Sequence, residues 1–332
     1  MLKGMQPEKP DLTHNFGETM HILKMEDEHL DDVVKVDRIA FERYEPRIKE
    51  NFRALKLSDP DGCFVVLDKD EVVGYSYSKV LGIEGYLGPL VLLPSYQNEG
   101  YGKVLVSKNL EYLESHCDTI GLEVLPEYGG NIGLYSKIGF ISGFPSLLFE
   151  LPGRFELSRH RDLPNHFKSH HQTALQEDLF QFKLLSGVPE IHQEKIIQEI
   201  DSWIRNSFNG VSYSEDLKTT LDLKGLVLVA FHKEEPVGFL AYSKTLLPYL
   251  WGTVKLHEAQ NEIMMGMLIN FIHLNEDERV IVQVNSRYAD LVDLLISLNF
   301  KVFRSVNRML WRGYEGNYLK ISNEMVMRGW RG

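Results

Sequence analysis

The chain has 332 residues, a length that suits about two domains of ordinary size. Hydrophobic residues make up 43% and aromatics 11%, so each half can bury a core of its own. A formal net charge of −11 excludes the broad basic surface that nucleic-acid binding needs, and mildly favours amine or cationic ligands. Two cysteines, Cys63 and Cys117, cannot build a disulfide framework and fit a reducing cytoplasm. The polar, proline-punctuated N-terminus has no signal-peptide core, and no window approaches the uninterrupted apolar length of a membrane span. A cytoplasmic protein without membrane contact is expected.

Residues 1–19 read as a lead-in. "HILKM" (His21–Met25) predicts a strand, and "DEHLDDVVKVDRIAFERY" a helix that buries Leu30, Val33 and Val34. "GCFVVL" and "VVGYSYSKVL" are two strands joined by the turn "DKDE", and "YLGPLVLL" is a buried strand. In "PSYQNEGYGKVLV" (Pro94–Val106) the chain then meets a proline, crosses Gly100 and Gly102, and turns amphipathic. Val106, Leu110 and Leu113 recur at helical spacing, so this stretch reads strand, glycine loop, helix. Such a loop exposes N–H groups at the positive end of a helix, where a phosphate can settle, assisted by Lys103 and Lys108. "TIGLEVL" is a further strand, "NIGLYSKIGF" a short helix closed by Gly139, and "GFPSLLFEL" extended chain.

Pro152 to Gln176 is polar and rich in His and Arg, a linker. His166, His170 and His171 could be read as metal ligands, but no regular Cys/His pattern supports them, and a solvated connector is preferred with no metal expected. The pattern then repeats. "LVLVAFHKEEPVGFLAYSK" (Leu226–Lys244) echoes "CFVVLDKDEVVGYSYSK" (Cys63–Lys79), Gly238 matching Gly74. "YLWGTVKL" echoes "YLGPLVLL", and "VQVNSRYADLVDLLISLNF" echoes "LEVLPEYGGNIGLYSKIGF". Two copies of one mixed α/β unit follow, over 20–151 and 177–315, joined by the linker 152–176. The tail 316–332, with Met325, Met327 and Trp330, either docks as a last strand or stays frayed.

The sequence Gln97-x-x-Gly100-x-Gly102 after a buried strand, followed by "LEV" and "LYSKIGF", resembles the [Arg/Gln]-x-x-Gly-x-[Gly/Ala] signature of the GNAT-superfamily N-acetyltransferases, over residues 20–150. The resemblance implies two tandem GNAT-like acyl-CoA N-acyltransferase domains, each a mostly antiparallel mixed sheet flanked by helices. It implies acetyl-CoA as cosubstrate, its diphosphate cradled by Asn98, Glu99, Gly100, Tyr101, Gly102 and Lys103, with Gln97 at the entrance. In that family the preceding strand splays from the next, and backbone groups, here those of Leu90, Leu92 and Leu93, bind the pantetheine arm. Many relatives carry asparagine seven residues before the tyrosine. In the family that asparagine touches pantetheine; here its position is Tyr128, and the nearest asparagine, Asn131, is counted among the cofactor-binding residues by resemblance and is expected as the N-cap of the short helix. No Gly-Lys-Ser/Thr run is present, so the loop is not a Walker A motif.

Glu123 alternates with Leu122 and Val124, so it faces away from the apolar side of its strand. By resemblance it is the base that takes the amine's proton, with Glu84 in reserve, and Tyr135 is the acid for the departing thiolate. The blander readings are a hydrogen-bonded, inert glutamate and an aromatic packed beside Ile132 and Ile138. Counting from Phe300, the second copy has Gln283 and Leu295 at these two places and "HEAQNE" for the glycine loop. It therefore keeps the apolar pattern without the polar elements assigned to chemistry. The expectation is direct transfer from acetyl-CoA to a primary amine in the first copy, the acceptor being a small molecule or a peptide. Rival readings are a non-catalytic acyl-CoA sensor or interaction protein, or transfer of another acyl group or to another acceptor. A homodimer is left open.

Overall fold

The computed structural model describes residues 20–41, 47–151, 180–255, 259–275, 279–312 and 326–327. The proposed linker, with its three histidines, and most of the tail lie outside them. Of the described residues, 20–143 and 308–312 form one compact unit; 144–307 with Val326–Met327 form a second. No helix among the described residues is long and apolar enough to cross a membrane, and none of their His, Cys, Asp and Glu side chains cluster in a metal-holding group.

In the first unit the strands are β1 (Met20–Lys24), β2 (Cys63–Asp68), β3 (Glu71–Leu81), β4 (Glu84–Leu92), β5 (Thr119–Val124) and β6 (Phe140–Ser142). The helices are α1 (Leu30–Ala40), α2 (Lys49–Ser58), α3 (Tyr101–Glu114) and α4 (Gly129–Ile138). β1 to β4 pair antiparallel in sequence order, and β5 runs parallel to β4. One apolar layer joins Leu30, Val33 and Phe52 of α1 and α2 to Val65, Tyr75 and Tyr77; another joins Val106, Leu110 and Leu113 of α3 to Leu87, Ile120 and Leu122. The alternation of in and out along each strand thus covers the sheet on both faces. Buried Asn109 of α3 donates to Ser76 Oγ of β3 at 2.7 Å, which fixes the helix and the loop before it against the sheet.

The second unit repeats the plan with β8 (Gln181–Leu184), α5 (Glu190–Ser207), α6 (Ser214–Asp222), β9 (Leu226–His232), β10 (Glu235–Ser243), β11 (Leu247–Val254), α7 (Gln260–Leu274), β12 (Val280–Asn285) and α8 (Ala289–Ser297). Here β8 to β11 pair antiparallel in order and β12 runs parallel to β11. The short tail strand β14 (Val326–Met327) adds antiparallel to β11 at Gly252 and Thr253, so part of the tail docks.

The units do not coincide with the two sequence copies. β7 (Ser146–Leu151), coded with the first copy, pairs with β12 and belongs to the second unit. The last strand, β13 (Lys301–Trp311), changes units along its length. Its start pairs with β7, whereas Met309 to Trp311 pair with Ser142 to Phe140 of β6, beside β5. Each unit therefore takes one strand from the far copy, and the expected limit at 151 is replaced by a seam at Gly143. The physical reason is visible in the first unit's core. Trp311 is 8% exposed, its ring centroid lies 5.3 Å from that of Phe140, and its indole N–H donates to Glu114 at 2.9 Å. Hydrophobic patterning marks a strand as buried, but not which of two like sheets buries it.

Candidate functional site

The first unit's site begins with an irregularity in β4. Ser78 faces Leu87 across β3 and β4, but Ser76 faces Leu90, so β4 accommodates one extra residue around Gly88 and Pro89. Proline offers no N–H to a ladder, and a bulge bends its strand. The parallel pairing of β4 with β5 runs from Glu84–Thr119 to Leu87–Leu122 and stops, although β4 continues to Leu92 and β5 to Val124. Beyond the bulge, among the described residues, no strand pairs with the β5-facing edge of β4. The Leu93 N–H donates to Val73 of β3 at 2.9 Å, so alternation turns the backbone groups of Leu90 and Leu92 toward this gap. Leu93 thereby differs from the other two residues expected there. The Leu92 carbonyl accepts the Gln97 side-chain amide at 3.0 Å, which ties the loop to the strand.

The loop reaches α3 through left-handed backbone at Asn98 (φ 65°) and Gly100 (φ 90°), which asparagine and glycine tolerate best. The N–H groups of Lys103 and Val104 return to the Gly100 carbonyl, at 3.0 and 3.3 Å, so Lys103 contributes no main-chain donor outward. Gly102 is different. Its φ is not left-handed, and an added Cβ would meet nothing closer than 3.7 Å. Neither backbone nor internal packing demands glycine there; what it leaves is a bare main-chain surface on the first turn of α3, where an anion can approach. Lys108 is paired with Glu111 at 2.9 Å, three residues along the same helix.

Glu123 is half-buried and sits one residue past the last paired position of β5, at the mouth of the gap. The Tyr86 hydroxyl reaches its Oε2 at 3.5 Å, the long limit of a hydrogen bond. Glu84 is buried at the other end of β4, where the two strands are still paired, six residues or about 20 Å of extended chain from Leu90. Tyr135 of α4 is buried with Leu122, Val124 and Phe140, on the face of β5 opposite to Glu123. Burial alone pushes its hydroxyl up to about 12, so it keeps its proton at neutral pH. Asn131 is not the N-cap: that residue is Tyr128, and Asn131 is exposed in the first turn of α4, its N–H donated to the Tyr128 carbonyl. Burial also raises both thiols, that of Cys117 to about 12, so neither is a thiolate nucleophile at neutral pH.

Three residues of the site escaped the sequence reading. Tyr86 and Gly121 face each other across β4 and β5, and the guanidinium of Arg308, from β13, lies over them. Arg308 is 185 positions from Glu123 in the chain, and no local pattern could have joined them.

Residues 25–140 match the Acetyltransferase (GNAT) family. An Arabidopsis thaliana protein named N-alpha-acetyltransferase MAK3 is 30% identical over 87 residues, which are 25% of this chain and 46% of that protein. The chain spans about half the length of the curated relatives it matches. A Pyrococcus horikoshii structure provisionally described as an acetyltransferase superposes with a TM-score of 0.69 at 16% identity, over 96% of this chain and 97% of that one. A tandem GNAT protein from the clavulanic acid biosynthesis pathway gives 0.58 at 14% identity, over 88% and 98%. At such identities the likeness establishes the fold, two mixed-sheet domains on one polypeptide. The matched stretch, residues 25–140, is thus similar to the GNAT acetyltransferase family, and over its whole length the chain shares the fold of these two-domain structures.

Proposed function

We propose that the first unit is an acetyl-CoA-dependent N-acetyltransferase that acetylates a primary amine by direct transfer within a ternary complex. The observation that carries this reading is the backbone edge of β4 beyond its bulge, with which no strand among the described residues pairs, ending at a loop where a Cβ added to Gly102 would meet nothing closer than 3.7 Å. An extended pantetheine arm fits such an edge as an added strand, and a diphosphate fits the loop. In this reading the amides from Asn98 to Gly102 hold the diphosphate, and the Leu90 and Leu92 main chain orients the arm. The cosubstrate supplies the activated acetyl thioester. Glu123 takes the proton from the amine, and the Leu92 N–H polarises the thioester carbonyl. Tyr135, which burial keeps protonated, returns a proton to the departing sulfur. Glu123 is preferred over Glu84 because it stands where the strands part. The matched N-alpha-acetyltransferase makes the α-amino group of a peptide the first acceptor to try.

The test is calorimetric titration of the full chain with coenzyme A, then an acceptor panel read by release of free thiol. Binding that Gly102→Val weakens, with transfer to at least one amine, is the expected result. Binding without transfer to any amine would favour a sensor, and no binding at all would remove the proposal.

A further inference from the structure

We propose that the fork between β11 and β12 of the second unit is a strand-binding site whose resident ligand is the chain's own tail: β14 occupies the edge that the first unit leaves open for a pantetheine arm, and closes it to a cofactor. The comparison with the arm rests on the function proposed for the first unit; the site on β11 does not. Both forks open at the same place. The last parallel pair of β4 with β5 is Leu87–Leu122, and the parallel pair of β11 with β12 is Leu250–Val282. Leu250 matches Leu87 in the repeated segment "YLWGTVKL", and Val282 matches Leu122, since Gln283 is the counterpart of Glu123. Past the fork, and past the extra residue of β4, the strands agree again. Gly74 pairs with Leu92, and its counterpart Gly238 pairs with Val254. The Leu93 N–H donates to Val73 at 2.9 Å, and the Lys255 N–H donates to Val237 at 2.7 Å. Gly252 therefore holds the place of Leu90, whose backbone faces the open edge in the first unit. In the second unit this edge has a guest. Gly252 pairs with Met327 and Thr253 with Val326, antiparallel, and β14 lies against β12 as well.

Backbone alternation explains how so short a strand holds the edge. Lys255 and Thr253 direct their main-chain groups to β10, so those of Gly252 turn the other way, to Met327. An extended polypeptide satisfies such an edge through its main chain alone. A phosphorylated cofactor also needs a cradle, and the second unit lacks one. Between Val254 and Gln260 the sequence carries no glycine, and the first turn of α7 contains Glu262, where that of α3 contains Lys103 and no acid. A carboxylate at a helix N-terminus takes up the positive end that a phosphate would use, and repels the phosphate. The two forks thus share a geometry and differ in ligand. Tethering favours the tail further, because a detached tail stays close to its edge.

The experiment follows amide hydrogen exchange at Gly252 in full-length wild type, full-length Met327→Pro and a chain ended at Lys320. A proline at 327 has no N–H to give the Gly252 carbonyl. Gly252 should exchange about tenfold faster or more in both variants than in wild type, the loss of one or two backbone contacts. Phe239, which pairs with Thr253 inside the sheet, should keep its wild-type rate. A synthetic peptide of Ile321–Gly332, added in excess to the shortened chain, should restore the protection of Gly252, and the same peptide with Met327→Pro should not. Coenzyme A at a concentration that saturates the first unit should leave Gly252 unchanged in wild type and should not replace the peptide in the shortened chain. Equal Gly252 exchange in wild type and both variants overturns the proposal. So does a peptide that restores nothing, or protection of Gly252 by coenzyme A in the shortened chain. If the shortened chain unfolds, seen as fast exchange at Phe239 too, full-length Met327→Pro with added peptide carries the same test. If coenzyme A binds nowhere on wild type, the acetyltransferase reading fails by itself, and the response of Gly252 to the peptide still decides whether the fork is a strand site.

Discussion

The two units share a sheet plan and differ along one strand edge. In the first, β4 leaves β5 after Leu87 and its far edge is unpaired among the described residues; in the second, β11 meets β12 at Leu250 and its edge at Gly252 and Thr253 is covered by β14. The first edge ends in a loop with Gly100 and Gly102, while α7 begins at Gln260 without a glycine before it. Glu123 and Tyr135 on one side correspond to Gln283 and Leu295 on the other, and the latter two are wholly buried. The hydrophobic plan is sufficient to make the fold twice, so what differs between the copies is the better guide to what the fold is used for.

That contrast can be broken most directly at the proposed base. Glu123→Gln, which makes the first unit like the second at this position, should lower the rate of thiol release by about 10²–10⁴-fold. The reverse change, Gln283→Glu, should add no activity; retained turnover in Glu123→Gln would remove the distinction between the copies. Trp311→Ala tests the exchanged strand: loss of this buried ring should cost about 3–5 kcal/mol in denaturant unfolding of the full chain. A loss near zero would mean that the end of β13 is not part of the first unit's core. Tyr135→Phe should reduce kcat by about 10²-fold with little change in coenzyme A affinity. Its hydroxyl, normally near 10, is raised to about 12, so the proton is held below pH 10 and given up only as pH rises through 12. An alkaline limb of wild-type kcat below pH 9 that vanished in Tyr135→Phe would contradict that assignment. The smallest effect is expected at Gly102, where Gly102→Val should weaken coenzyme A binding by about tenfold, the loss of one or two backbone contacts. Binding should fit one site per chain, and a second site of similar affinity would contradict the difference drawn at β11.

Much of the first unit was legible beforehand because its signals are local. The turn at Asp68–Glu71 links two alternating strands, Gly139 closes α4, and the Gly100–Gly102 loop joins a buried strand to an amphipathic helix. α2 drew no attention because its apolar face is small: Phe52 and Ala54 are its only buried residues. Asn131 misled because helix-capping residues are recognised by type, whereas the helix starts two residues earlier on a pair of glycines. Glu123 could be singled out as a carboxylate among apolar strand neighbours. Its setting could not, since the bulge at Gly88–Pro89 shows only in the register with β3.

The sequence by itself determined the two-fold repetition, the order of strands and helices, and the loop suited to a phosphate, because periodicity and glycine placement act over a few residues. Tertiary structure alone decided that β7 and the end of β13 cross to the opposite units, and that Arg308 comes to rest over Gly121. Such pairings depend on which of two similar sheets offers a complementary edge. That is a competition between surfaces formed by residues far apart in the chain, and no stretch of sequence encodes its outcome.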